Sequence, residues 1–583
     1  MSEPAFQLEP FDSEGLDGVA NDHNCEVWPY PYEMRSTGLW LQKDDKPEFL
    51  CRPFEVIGQS RTNSGDGWGL MIEFYDGDGR QKTLNISRAD LISERGEAMA
   101  ALASQGLKFP PGATKKLKAA LASLDPEARV RIVETTGWVE PGKAYMLGDR
   151  PIGAEQSEPV RLMGDAQPMR LAGTFEQWRA LVALPSTGNT RLVLAISAAF
   201  VGPLLALTGS EGLGLHFRGA SSSGKSTALA VAASVAGVRV GTWRATSNGL
   251  EGIATASNDG LLILDELGEV SAREVGGVVY MLGNGQGKQR AGQAGEARKR
   301  KNWRVAVLSS GEVSIAQKAQ EDGYKGKTRA GQEVRLIDIE ADAGAGCGVF
   351  ENVPDALTPS QFSDHLKDVA TKNSGHAMPR YIEALQADMG KPVLLLFTQL
   401  KSAFASAYSD VGGQAARVRD KFALLACAGE FATHCGLSGW NNGEATRSAK
   451  ACFEAWFNQR KGASHEASLA IETVRGFIQS HGASRFHVAG DDEANSRVIN
   501  RAGWVREVKG EKCYCFASVP WKQEVLAGQD IKLACSHLTQ KGLLITDAPE
   551  ANGRKRFTYK LSTPDGLQNV YAVRASILLD GEG

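Results

Sequence analysis

The chain has no CxxC pair, no Lys or Arg before Arg35 and no fixed-period repeat, and each absence removes a class of protein. Its nine cysteines (25, 51, 347, 427, 435, 452, 513, 515 and 535) come no closer to a ligand spacing than the CxC of Cys513 and Cys515. A zinc site or disulfide framework is therefore not expected, and scattered thiols suit a reducing cytoplasm. Eight acidic residues precede Arg35, the reverse of a signal peptide's basic start, so secretion is not expected either. The longest uncharged run, 192–210, nearly reaches membrane-spanning length, but it contains Gly202-Pro203 and many small residues and reads as a buried helix, with no membrane partner. Charge of one sign is not in excess: 65 Lys and Arg face 68 Asp and Glu, so any nucleic-acid surface must be local.

Glycine is plentiful, 65 of 583 residues, beside ordinary hydrophobic and charged fractions, which fits several globular domains with many loops. Residues 1–45 are acidic, then rich in Pro and aromatics (Trp28-Pro29-Tyr30-Pro31-Tyr32), and read as a tail or docking segment. Alternating apolar runs separated by Asp-Gly turns at 66–67 and 76–77 give 46–185 as an N-terminal β-rich domain. Over 186–350, short buried strands alternate with helices, the mark of a parallel α/β core. Helical periodicity dominates 351–462, read as a lid, and 463–583 reads as a C-terminal mixed domain. The fold class expected is multidomain α/β.

Gly219-Ala220-Ser221-Ser222-Ser223-Gly224-Lys225-Ser226 matches GxxxxGK[ST], follows the apolar strand 214–217 and opens a helix from Thr227. Backbone N–H groups of such a loop and the positive end of its helix hold the phosphates of ATP. Gly224 allows close approach, Lys225 neutralises β/γ charge and Ser226 ligates Mg²⁺. Further on, Leu261-Leu262-Ile263-Leu264 is a buried strand ending in Asp265-Glu266. Asp265 there can hold Mg²⁺ through water, and Glu266 can polarise the attacking water. This favours hydrolysis over transfer to a substrate hydroxyl.

The next strand ends in Ser309-Ser310-Gly311-Glu312. In ATPases of the additional-strand (AAA+) class a polar residue at this point reaches between the acidic strand and the γ-phosphate, so Ser309 or Ser310 is the candidate sensor. Arg335, before Leu336-Ile337-Asp338-Ile339, stands where oligomeric ATPases present a finger to the neighbour's nucleotide; Arg329 competes for that role, and Arg417 opens a helix of the lid. The alternative for each is a surface ion pair.

Two stretches could meet DNA. Between Gly285 and Arg304 the chain carries Lys288, Arg290, Arg298, Lys299, Arg300, Lys301 and Arg304 against one acid, Glu296, in a Gly-rich setting that suits a hairpin tracking a phosphate backbone or a plain solvated loop. Near the C-terminus, helices over 468–480 and 530–541, an apolar strand at 543–546, a turn at Asn552-Gly553 and Arg554-Lys555-Arg556 suggest a winged-helix-like domain meeting phosphates through those three cations.

The run from Phe217-Arg218-Gly219 through Gly224-Lys225-Ser226-Thr227, then Trp243-Arg244-Ala245-Thr246, Leu264-Asp265-Glu266, Leu308-Ser309-Ser310-Gly311-Glu312 and Ala330-Gly331-Gln332-Glu333-Val334-Arg335, resembles the family catalogued as domain of unknown function 927 over about residues 50 to 460. That family occurs in phages and mobile cassette elements and is similar to the minichromosome maintenance branch of AAA+ helicases, some members being self-loading replicative helicases. The resemblance implies an AAA+ P-loop core with a helical lid and a hexameric ring with nucleotide between subunits. The expectation is a cytoplasmic, ATP- and Mg²⁺-dependent DNA helicase or translocase of a phage or mobile-element replication module, acting on single-stranded or forked DNA beside proteins such as a primase. The alternatives are an ATP-gated initiator or loader that does not unwind, and a protein-remodelling ATPase.

Overall fold

The computed structural model describes residues 28–44, 46–153, 158–289, 300–321, 330–409, 411–460, 463–488, 500–529, 531–547, 557–563 and 566–578. At its centre Leu213–Arg218 (β1), Val240–Thr242 (β2), Gly260–Asp265 (β3), Val305–Gly311 (β4) and Ile337–Glu340 (β5) form an all-parallel sheet in the order β2-β3-β4-β1-β5. β3 is a run of aliphatics because both its faces are covered. Leu261 and Ile263 join one apolar cluster, Leu262 and Leu264 another.

The first cluster lies under Thr190–Leu207 (α1) and Lys225–Ala236 (α2), the second under Ser247–Ala256 (α3) and Val275–Asn284 (α4). α1 is long and apolar enough to cross a bilayer, yet 89% of it is buried inside the protein. Gly202 lets it touch the sheet: a Cβ there would stand 2.6 Å from the Gly260 Cα. The helices Pro359–Lys372, Ala377–Gln386, Gly413–His434 (α5) and Glu444–Arg460 also pack into the first cluster, so one apolar core runs across residue 350 and joins sheet and lid-like helices.

Strands begin earlier than the sequence suggests. Tyr32–Arg35 and Gly38–Leu41, inside the segment read as a tail, pair with each other and with Glu48–Cys51, and Trp28 packs edge-on against Phe54. Trp28 and Tyr32 there pack against the core while Tyr30 is exposed, and residues 1–27 and 45 of that reading lie outside the described residues. A five-stranded sheet follows, with Arg129–Val133 parallel to both Phe54–Arg61 and Val160–Leu162, so it is not a simple meander.

The three-stranded unit Gly137–Glu140, Ala144–Leu147 and Arg150–Ile152 docks on the base of β3. The Thr136 hydroxyl donates to the carbonyls of Ala256 and Asn258, and the Tyr145 hydroxyl to that of Asp259 at 2.6 Å. The buried Asp259 carboxylate accepts from the Trp138 N–H at 3.1 Å and pairs with Arg304 at 2.8 Å. Arg304, counted above with the basic stretch, is thus engaged in this joint.

In the C-terminal part, Leu544–Ile545 and Tyr559–Thr563 both pair with Gly566–Arg574. With Phe486–Val488, Gly503–Val508 and Glu511–Phe516 they make six strands, against helices Ala463–His481 and Ile531–Gln540. The ribbon read from the sequence is therefore one edge of a larger sheet, and Arg554, Lys555 and Arg556 lie outside the described residues.

Candidate nucleotide site and basic cleft

β1 has β4 on one side and β5 on the other, so strand order reverses there, and ligands in open α/β sheets bind outside the carboxyl ends of strands at such a point. Residues 219–224 occupy that position, between the end of β1 and the first turn of α2. Two residues of the loop take the left-handed conformation, Ser222 at φ 62° and Gly224 at φ 81°. A Cβ on Gly224 would meet the Val349 Cγ2 at 2.6 Å, so this position admits only glycine without displacing the segment behind the loop.

The Lys225 ammonium is folded onto its own loop, donating to the carbonyls of Gly219 at 2.8 Å and Ala220 at 2.7 Å. Ser226 is exposed at the head of α2, whereas Thr227 is buried and its hydroxyl lies 2.5 Å from that of Ser363. Thr227 thus ties α2 to the helix Pro359–Lys372 and does not face the loop.

Register brings the acidic pair beside the loop. Phe217 is opposite Ser310 across β1 and β4, and Leu264 opposite Ser309 across β4 and β3, so the carboxyl ends of all three strands are level. Successive side chains on a strand point to opposite faces, so Ser309 and Ser310 cannot both approach Asp265. Ser310 does: its hydroxyl donates to Asp265 Oδ1, which also accepts from the Glu266 N–H at 3.0 Å.

Ser309 belongs to a buried network on the other face. Its hydroxyl accepts from Trp243 Nε1 at 2.8 Å and donates to His216 Nδ1 at 2.9 Å, leaving His216 Nε2–H to donate to the Val313 carbonyl at 3.1 Å. Burial disfavours the charged ring and brings His216 down to about 4. Glu266, exposed at the strand's end, stands at φ 58°, a sparsely populated conformation for a side-chain-bearing residue and one often found where function fixes the backbone.

The loop's free backbone, an exposed hydroxyl at the head of α2 and a carboxylate level with it form a donor set that fits a nucleotide triphosphate with Mg²⁺. Among the described residues, no group of His, Cys, Asp and Glu is placed to hold a metal by itself.

Arg335 lies at the opposite end of the sheet, just before β5. Its Nε donates to Asn284 Oδ1 at 2.8 Å, its Nη1 to the Gly331 carbonyl at 2.6 Å, and its guanidinium lies over the Tyr280 ring at 4.5 Å. It is therefore not in its own subunit's phosphate site. Arg417, exposed on the first turns of α5, shares its surroundings: Lys421, one turn on, donates to the Val334 carbonyl at 2.9 Å. Burial, followed by the raising pull of Glu211 and the opposing cations Arg335 and Arg417, brings Lys421 down to about 8. Arg329 lies outside the described residues.

The basic stretch begins and ends as a hairpin. Gln286 and Asn302 form an antiparallel bridge and the Gly287 N–H donates to the Lys301 carbonyl at 2.9 Å. Lys288, Arg300 and Lys301 are exposed there, while Arg290, Arg298 and Lys299 lie outside the described residues. Sequence reading missed Arg273, Tyr280 and Asn284, which with Lys288 and Arg300 line a cleft of about 350 Å³ along α4. The available signal was the spacing of 277, 280 and 284 on one stripe of the helix leading into the hairpin, with Arg273 in the turn before it.

Residues 32–302 match the family model described as Domain of unknown function (DUF927). The family resemblance holds over that span, which starts before residue 50 and ends ahead of Ser309, Ser310 and Arg335. No curated protein sequence matches the chain. Among solved structures, one described as "SCCmec type IV Cch - active helicase" is similar with a TM-score of 0.65 at 20% identity, over 95% of this chain and 99% of that one. The likeness extends to the whole multidomain α/β fold.

Proposed function

We propose that this chain, whose residues 32–302 match the DUF927 model and whose fold is similar to that of a structure described as an active helicase, is an ATP-dependent DNA helicase or translocase of the AAA+ class, assembled as a ring, most simply a hexamer. The observation that carries the reading is the meeting of the 219–226 loop with Asp265 and Ser310 at the switch point of the parallel sheet, while Arg335 sits at the far end, where only another subunit can use it. In this reading residues 186–350 are the motor, 351–462 its lid, 46–185 an N-terminal domain and 463–583 a winged-helix-like DNA contact, in a cytoplasmic protein of a phage or mobile-element replication module working with partners such as a primase.

ATP binds with its phosphates on the N–H groups of residues 220–226, since the Gly219 N–H donates to the Gly311 carbonyl and that of Thr227 to the Gly224 carbonyl. Lys225 exchanges its two loop carbonyls for phosphate oxygens. Ser226 and Asp265 would hold Mg²⁺, which would supply neutralisation of phosphate charge. Ser310 orients Asp265, Glu266 directs water at the γ-phosphorus, and Arg335 of the adjoining subunit, with Arg417 as a second cation, meets the charge that develops. Interface motion then moves Lys288, Arg300 and Lys301 along the DNA backbone, with Arg290, Arg298 and Lys299, which lie between them in the sequence, adding to the contact.

The test is displacement of one strand of a forked duplex by purified protein. ATP-dependent displacement that vanishes in Glu266→Gln, which still binds ATP, is the expected result. DNA-stimulated hydrolysis without displacement would replace this reading by an initiator or loader, and hydrolysis indifferent to DNA by a protein-remodelling ATPase.

A further inference from the structure

The cleft along α4 has a chemistry of its own. Its floor is the helix stripe Gly277, Tyr280 and Asn284 with Arg273 in the turn just before α4, and its walls are Ser247 at the head of α3 and Lys288 and Arg300 at the hairpin base. Three exposed cations face it against one acid, Glu274, whose carboxylate accepts from the Ser271 hydroxyl at 3.0 Å. Gly277 leaves the middle of the floor open, since a Cβ there would have nothing within 4 Å. Tyr280 is a half-exposed ring, 48% accessible, in the same wall. A volume of about 350 Å³ fits a nucleotide-sized unit, and cations beside an aromatic face are what a phosphodiester strand with unpaired bases requires.

The same turn of α4 holds Arg335. Tyr280 lies under the guanidinium, Asn284 takes the Nε–H, and Gly283 makes room for the side chain to lie flat, because a Cβ there would stand 2.7 Å from both Cβ and Cδ of Arg335. Nε and Nη1 are thereby fixed, and Nη2 has no partner among the described residues. The next residue, Gly285, is where the hairpin begins.

We propose that this cleft is a subsite for single-stranded nucleic acid and that Tyr280 and Asn284, shared by the cleft and by Arg335, are positioning residues through which an occupying strand sets the arginine for the neighbouring subunit. The inference rests on the proposed function and adds to it the route by which DNA acts on hydrolysis. A strand in the cleft fixes the last turn of α4, and Arg335 is attached to that turn at two points.

The test is steady-state ATP hydrolysis by the full chain titrated with oligo(dT). In Tyr280→Leu, kcat at saturating oligo(dT) falls about tenfold or more while the KM for ATP moves less than about threefold, and the half-saturating oligo(dT) rises about fivefold or more with the loss of the ring face. Tyr280→Phe, which keeps the ring face, retains the wild-type rate. In Arg273→Ala/Lys288→Ala the half-saturating oligo(dT) rises about tenfold or more and depends less steeply on salt, while the maximal stimulated rate is recovered.

The inference is overturned if Tyr280→Leu keeps the full stimulated kcat, if Tyr280→Phe fails as Leu does, or if the double variant keeps the wild-type midpoint. Equal stimulation of the wild type by polyglutamate would also overturn it, as the cleft would then answer to any polyanion. If the wild type hydrolyses ATP but ignores oligo(dT), the functional reading falls and takes this inference with it; a stimulated wild type with indifferent variants removes the inference alone.

Discussion

The two ends of the parallel sheet are built from opposite chemistry. At the carboxyl ends of the strands stand a loop of free backbone N–H groups, Lys225 and the carboxylates of Asp265 and Glu266. At the amino ends stand Arg335, Lys421 and Arg417, with the hairpin base beside them. β1 spans six residues, so at about 3.3 Å per residue the ends are on the order of 17 Å apart, beyond the reach of any one side chain. Each end holds parts that the other lacks, and under the proposed function a chain so divided completes its phosphate site beside a second copy.

The largest expected effect tests that division directly. Arg335→Ala should lower ATP hydrolysis by about a thousandfold while leaving nucleotide binding in place, the range found for trans arginines in phosphoryl transfer. Lys225→Ala should be as inactive, for the opposite reason. Mixed before assembly, the two should regain hydrolysis at those interfaces where an intact phosphate loop meets an intact Arg335. Mixtures with no more activity than the two variants alone would show that the ends do not cooperate between subunits.

A smaller effect separates the two faces of β4 at the nucleotide end. Ser310→Ala removes the hydroxyl bonded to Asp265 and should reduce kcat by about tenfold to a hundredfold, with stability changed by less than about 1 kcal/mol. Ser309→Ala deprives Trp243 Nε1 and His216 Nδ1 of their shared partner inside the core, an outcome that costs about 1–3 kcal/mol of stability and touches kcat less. Denaturation midpoints and kcat measured on both variants decide the assignment. Reversed results would make Ser309 the sensor.

How much of this was legible in the sequence follows from how local each feature is. The loop at 219–226 and the acidic pair are contiguous, and the strand and helix flanking the loop follow from uninterrupted apolar runs and from Gly224. The choice between Ser309 and Ser310 depends on register across three strands. Alternation along β4 says that only one can face Asp265 but not which. The hold of Tyr280 and Asn284 on Arg335 spans some fifty residues of chain and leaves no local pattern. Arg304 counted as one more cation until its pairing with the buried Asp259 showed it engaged. The strands from Tyr32 and the long Gly566–Arg574 were missed for different reasons: the first looked like a tail because of its prolines, and the second opens on largely exposed residues, polar ones among them, before its buried half.

The smallest effect concerns pH and contrasts the buried face of β1 with the open loop it leads into. His216 is neutral in the folded chain, its value brought from the ordinary 6.5 to about 4 by burial, so folding is favoured fully above pH 6.5 and loses support as pH falls toward 4, where the unfolded chain binds a proton that the folded one refuses. Between pH 7.5 and 5.5 this amounts to about 1.3 kcal/mol at about 1.36 kcal/mol per unit. The transition that melts the parallel sheet should therefore drop further over that interval in the wild type than in His216→Asn, which cannot titrate but can still accept from Ser309. Because the ring bridges β1 and β4 behind the loop, the same protonation should slow hydrolysis below pH 5.5 only as the sheet loosens, with no separate break in kcat near pH 6.5. A break at 6.5 that disappears in His216→Asn would mean the ring titrates in the folded protein, and the buried network would then belong to the chemistry of the open end.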